Sequence, residues 1–194
     1  MAILFLKNWG EKNRLKKIER YTFTFSEIGW RVQIPISCEL LGSKAIKFYK
    51  RWGEKLMEQL SYPVLTRADS KIIFYARMER SNSMACSITP IASRSAADRH
   101  SRNQQCKEAA LELFRTRMPR ATIDNRTVTE QIGGRQFEDF QILIRVGEKT
   151  LLHIHRFSAE INDHCIEISL QYRNDQMGED FIHALRNSKF IDSY

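Results

Sequence analysis

Hydrophobic and polar positions alternate most cleanly over residues 133–173, where the pattern predicts three antiparallel strands: 137–146, 150–162 and 164–173. Ile, Phe, Leu and Tyr recur there, broken only by Gly147-Glu148-Lys149 and Asn162-Asp163, which are turn-forming residues. Gly147-Glu148 suits a type II′ turn, because glycine accepts a positive φ at the first turn position. With that turn Val146 pairs with Lys149, and Ile144, Ile142 and Phe140 lie opposite Leu151, His153 and His155. With Asn162-Asp163 as the next turn, the same face continues through Phe157, Ala159 and Ile161 to His164, Ile166, Ile168, Leu170 and Tyr172. Side chains alternate across a strand, so this register gathers nearly all the apolar residues on one face. Gln141, Arg145, Arg156, Glu160, Glu167 and Gln171 fall on the other, with Leu143, Leu152 and Ile154 among them. Ile144, Phe157, Ile168 and Leu170 are thus expected to share one buried face.

Earlier in the chain the signals are shorter. Residues 21–27 alternate aromatic with hydroxyl side chains, and Trp30 to Pro35 alternate again, which predicts an opening hairpin turning near Ile28-Gly29. Over 42–61, Ala45, Phe48, Tyr49, Trp52, Leu56 and Leu60 recur at three and four, the spacing of an amphipathic helix that Tyr62-Pro63 ends. Its aromatic stripe, Tyr49 and Trp52 included, suits core packing or a ligand platform. Residues 71–78 and 84–88 read as two more strands around a polar turn, closed by Pro90. A second helix spans 93–117, and a capping box of Ser101 with Gln104 would move its start to Ser101, leaving Asp98-Arg99-His100 in a loop. An extended edge segment at 122–131, a Gly133-Gly134 turn and a short C-terminal helix at 178–187 complete the pattern. The organisation expected is a basic segment at 1–19 and a single α+β domain at 20–194.

Composition narrows the picture only a little. A chain of 194 residues with a formal charge of +8 has room for a real core and a basic excess, but no basic run is long enough to be a nucleic-acid-binding arm. Cys38, Cys86, Cys106 and Cys165 are dispersed without a C-x-x-C pair, which points to free thiols in a reducing compartment. The opening Met-Ala-Ile-Leu-Phe-Leu run has its charges after it and no small-residue cleavage site, so it fails as a signal peptide. No stretch approaches the length of a transmembrane helix. A cytoplasmic protein is the expectation, with an exported protein whose leader has been removed as the alternative.

Chemistry is sparse. The chain lacks a G-x-S-x-G elbow, an H-E-x-x-H pair, a P-loop and a dinucleotide fingerprint, and it has no aromatic RNA-binding motif. His153 and His155 are two apart on a strand and therefore share a face, where they form a hydrogen-bonded pair or line a ligand cleft. His164 pairs with Ile161 and lies about 20 Å along the strand from His155, at ~3.3 Å per residue, too far to complete a zinc site. No metal and no cofactor are expected, and no catalytic residue is assigned. His153, His155, Tyr49 and Trp52 are the candidate ligand- or partner-binding residues.

Three stretches carry a resemblance: Gly29-Trp30-Arg31-Val32-Gln33-Ile34-Pro35, Gly133-Gly134-Arg135-Gln136-Phe137-Glu138-Asp139-Phe140, and Leu185-Arg186-Asn187-Ser188-Lys189-Phe190. In their order the chain resembles, over about residues 20–191, the Mog/PsbP-like superfamily, which includes PsbP-like and DcrB-type proteins. The resemblance implies an α/β/α sandwich about a twisted antiparallel sheet. It also implies a non-enzymatic role as adaptor, assembly factor or chaperone, secretion-associated chaperones among them. The functional expectation is a module that holds a protein partner. Its alternatives are a small-molecule-binding domain or enzyme with a cleft near His153 and His155, and a basic peripheral membrane or nucleic-acid binder.

Overall fold

The computed structural model describes residues 20–35, 38–42, 44, 46–47, 51, 70–78, 82–91, 96–173 and 175–191. The basic segment at 1–19 lies outside them, as do most of the helix expected at 42–61 and both its aromatic candidates, Tyr49 and Trp52. Two antiparallel sheets carry the fold. The smaller joins β1 (Arg20–Phe25), β2 (Trp30–Pro35) and β10 (Lys189–Phe190), in that order. The larger has seven strands: β3 (Glu39–Leu40), β4 (Lys71–Met78), β5 (Asn82–Pro90), β6 (Thr122–Ile132), β7 (Arg135–Val146), β8 (Lys149–Ile161) and β9 (His164–Tyr172). Their spatial order is β3-β4-β5-β9-β8-β7-β6, so β6 is the last strand at one end. Helix α1 (Ala96–Arg117) packs on one face of this sheet and α2 (Asp175–Arg186) on the other.

Turn chemistry sets the hairpins as the residue types require. Gly147 has φ 58° while Glu148 does not enter the positive region, the type II′ pattern, and Val146 pairs with Lys149. Asn162 and Asp163 both take positive φ, as do Gly133 and Gly134, so both pairs make type I′ turns. Ile161 pairs with His164, and Ile132 with Arg135.

The face assignment needs one correction. Arg145 pairs with Thr150, but Ile144 pairs with Leu152, so Leu151 is the extra residue of a β-bulge. Beyond it every β8 side chain is displaced by one position relative to β7. Phe140, Ile142 and Ile144 therefore share a face with Leu152 and Ile154, not with His153, His155, Phe157, Ile168 and Leu170. The sheet consequently has two apolar faces. On one, Ala110, Leu111 and Phe114 of α1, with Met118, cover Phe140, Ile142 and Ile144. Lys107 lies over the Phe140 ring at 5.4 Å and bonds Glu138 at 2.7 Å beside them. On the other, Phe157, Ile166, Ile168 and Leu170 meet Met84, Cys86, the small sheet's Trp30, Val32 and Ile34, and Phe181 and Leu185 of α2. Burial of Leu152 and Ile154 under α1 and of Phe157 and Ile161 on the opposite side requires this change of phase, because alternation alone cannot serve both.

The helix starts also differ: α1 begins between the two starts the sequence offers, 93 and Ser101, and α2 begins earlier than Gly178. Helix α1 starts at Ala96, so Asp98-Arg99-His100 and Ser101 are helical, not loop and cap. Gln104, the supposed third residue of the box, donates instead to Glu108 at 2.8 Å, an i, i+4 pair. Helix α2 starts at Asp175, three residues before Gly178, and Asp175 supplies the acidic residue of its first turn. Gly178 is buried against β9: a Cβ there would lie 2.4 Å from the Tyr172 ring.

Candidate functional site

Because the bulge turns His153 and His155 away from α1, they stand on the face that α2 partly covers. The register sets Tyr172 opposite His153 and Leu170 opposite His155 on β9, with Leu143 and Gln141 as their neighbours on β7. The Tyr172 ring stacks on His153 at 4.6 Å and 9°, and its hydroxyl lies 3.2 Å from Nε2 of His155. His155 Nδ1 is 3.0 Å from Oδ2 of Asp139, a carboxylate only 1% exposed. Gln141 donates its amide to the same oxygen at 2.6 Å, and Arg126 Nε donates to Oε1 of Gln141 at 2.7 Å. A line of hydrogen bonds, buried at Tyr172, His155 and Asp139 and exposed at its far end, thus runs through Gln141 to Arg126 on β6.

The donors and acceptors order themselves. Arg126 has only donors, so its partner on Gln141 is the oxygen and the amide nitrogen faces Asp139. Asp139 Oδ2 then faces two partners, the Gln141 amide and Nδ1 of His155, and Nε2 of His155 faces the Tyr172 hydroxyl. Both imidazole nitrogens are occupied inside the protein. Burial raises the Tyr172 pKa, and Asp175, Asp139 and Glu179 raise it further, which opposes formation of a phenolate nucleophile. His153 is half-exposed: Nε2 lies 3.2 Å from Oδ1 of Asp175 at the start of α2. Burial lowers its pKa, Asp175 works the other way, and His155 adds to the lowering.

Beside this line is an open cleft of about 340 Å³, lined by Asp124, Asn125, Arg126, Gln141, Ile142, Leu143, His153 and His155. Asp124 is held by Arg145 of the neighbouring strand. Its floor is the part of the sheet that α2 leaves uncovered. At the other end of β6, Glu130 takes both Nε and Nη2 of Arg186, at 2.9 and 3.1 Å, and that hydrogen-bonded pairing lowers the Glu130 pKa.

Of the sequence candidates, the structure brings His153 and His155 together on one face, and Tyr49 and Trp52 lie outside the described residues. His164 is at the far end of β9, where it bonds the Asn162 carbonyl at 2.7 Å. Among the described residues, no group of three or more His, Cys, Asp or Glu could hold a metal ion. Sequence reasoning missed Asp139, Tyr172 and Arg126 as partners of the histidines. The signal for Asp139 was its period-two spacing from Phe137 and Gln141, but only the bulge puts that set on the histidine face.

No protein-family profile matches the chain, and no curated protein does. Solved structures do. The cyanobacterial PsbP (CyanoP) of Synechocystis sp. PCC 6803 is similar with a TM-score of 0.56 over 92% of this chain and 96% of that one, at 10% identity. The chain therefore has a PsbP-like fold, an α+β sandwich built on a large antiparallel sheet flanked by helices.

Proposed function

We propose that this protein is a non-enzymatic binding module that holds a protein partner, as an adaptor or chaperone. The observation that carries this reading is that both ring nitrogens of the buried histidine are engaged within the protein. Tyr172, His155, Asp139, Gln141 and Arg126 bond one another in series, so both nitrogens of the buried histidine are taken, while Asp139 Oδ1 has no partner among the described residues. Such a network stiffens a surface and commits His155 to partners within the protein. The cleft above it is open and mixed in charge, the character of a partner-facing surface rather than an enclosed reaction site. Dispersed free thiols support a reducing, cytoplasmic setting.

The test is capture from native lysate, followed by titration of the purified captured protein against the wild type and a His153→Ala, Arg126→Ala variant. The double variant is expected to weaken binding about tenfold or more. Affinity should fall only modestly between low and physiological salt, whereas a nucleic-acid complex with several phosphate contacts loses roughly a thousandfold or more over such a range. A steep slope of that kind overturns the reading.

The cleft's volume favours a second reading, since small-ligand sites begin at about 300 Å³. In that case a small molecule binds between β6 and β8 against His153 and His155. Turnover or stoichiometric binding of a metabolite that is lost in His153→Ala, with partner capture unaffected, would select it.

A further inference from the structure

Strand β6 ends the seven-stranded sheet, and among the described residues nothing pairs with its outer side. It is eleven residues long, and most of its side chains are exposed. Edge strands of this length are usually shortened, bulged or covered, because their free amides and carbonyls recruit other strands. Its pairing with β7 runs without a bulge over its whole length. The usual remaining protection is charge, and Asp124, Arg126 and Glu130 supply it on one face.

We propose that the occupant of this edge is a second copy of the chain, with β6 pairing antiparallel to β6 about a two-fold axis at Val128. The hydrogen-bond phase permits it. Ile132 and Arg135 flank a two-residue turn, so they exchange both backbone bonds, and the alternation continues along the ladder. Even-numbered residues of β6 therefore bond inward to β7, and Asn125, Thr127, Thr129 and Gln131 turn their amides and carbonyls outward. Antiparallel pairing centred on Val128 sets Thr127 against Thr129 and Asn125 against Gln131 of the other copy, which matches those outward groups.

The charges select this register. Arg126 then faces Glu130 of the second copy and Glu130 faces its Arg126, as directly opposed, closely spaced pairs, each Glu130 being shared with its own chain's Arg186. Moving the centre to Thr127 sets Asp124 against Glu130, like against like. Moving it to Thr129 leaves both Arg126 and Glu130 opposite apolar residues. A centre at Asn125 pairs Asp124 with Arg126 but shortens the overlap. Charges that would repel a foreign strand are complementary to their own two-fold image, and a two-fold contact is the one that closes without growing into a fibre. The pairing would also anchor Arg126, which ties the interface to the buried line through Gln141 and Asp139.

Sedimentation velocity over a range of concentrations, on the full chain, is the test, with circular dichroism as the fold control. Wild type is expected to show a reversible monomer–dimer equilibrium. Thr129→Pro removes only an outward amide, leaves the β7 ladder intact and should yield monomer. Arg126→Glu places Glu against Glu130 and should weaken the dimer about tenfold or more. Val128→Cys adds a positive readout: two Cα atoms about 4.5 Å apart across the axis suit a disulfide, so mild oxidation should link the copies while the parent chain stays unlinked. Monomer at every concentration, a dimer indifferent to Thr129→Pro and Arg126→Glu, or failure of Val128→Cys to cross-link overturns the proposal.

Discussion

Asp139 sits at the centre of the buried polar line with its two oxygens in unequal settings. Oδ2 accepts from His155 and Gln141, while Oδ1 is buried with no hydrogen-bond partner among the described residues. Asp139→Ala would strand two donors, and each unsatisfied buried group costs about 1–3 kcal/mol. Asp139→Asn keeps one acceptor and should lose less. Urea denaturation of both variants checks this; a loss under ~0.5 kcal/mol for the alanine variant would be that of an ordinary surface change. His153 gives a pH dependence with a definite sign. Its folded pKa is lowered, chiefly by burial, so below the ordinary histidine value of about 6.5 the unfolded chain binds the proton more readily. Its contribution is full above that pH and is lost as pH falls through the lower folded value. Unfolding free energy measured from neutral pH downward should show this decline, and His153→Gln should flatten it. An NMR titration placing His153 above 6.5 would reverse the expectation.

Single elements make the face assignment testable. Ile144 and Ile168 are both fully buried, but the Leu151 bulge sets them on opposite sides of the sheet, one under α1 and one beneath the small sheet and α2. Truncating either to Ala should cost about 2–5 kcal/mol. Because they share no cavity, the double variant should be additive within about 0.3–0.5 kcal/mol. A larger coupling energy would return them to one face. Helix α2 carries a second test. In a helix interior Ala is ordinarily favoured over Gly by about 1 kcal/mol. At Gly178 the added methyl meets the Tyr172 ring, so Gly178→Ala should instead destabilise by about 1–3 kcal/mol as α2 or the ring is forced aside. A rise in the thermal midpoint would contradict the close packing of α2 on β9. A shift of the His153 and His155 resonances should accompany the loss, since Tyr172 touches both.

Across the whole molecule the two sheets share one core. Trp30 of the small sheet is fully buried, with Phe25 at 5.7 Å, Phe190 at 5.8 Å and Phe74 of the large sheet at 6.0 Å between ring centres. We propose on this basis that residues 20–194 unfold as a single domain. In a Trp9→Phe, Trp52→Phe background the fluorescence of Trp30 should change in the same transition as the far-ultraviolet dichroism of the large sheet. Two separated midpoints would divide the sheets into independent units. Trp30→Ala should cost about 3–5 kcal/mol. No helix among the described residues is long and apolar enough to cross a membrane.

By itself the sequence determined the strands, the turns and the shared face of His153 and His155, because these depend on neighbours: a two-residue alternation, a glycine or asparagine at a position needing positive φ, a proline that stops an element. The 71–78 strand and the three hairpins between 122 and 172 were legible for that reason. Tertiary structure decided which face each strand turns to which layer. Leu151 has no composition that marks it as a bulge; it becomes one because α1 needs Leu152 and Ile154 on its side while the opposite core needs Phe157 and Ile161. That single inserted residue moves Asp139 and Gln141 beside His155 and takes Ile144 away from Ile168. A local pattern is blind to it, since the gain lies in contacts between residues far apart in the chain.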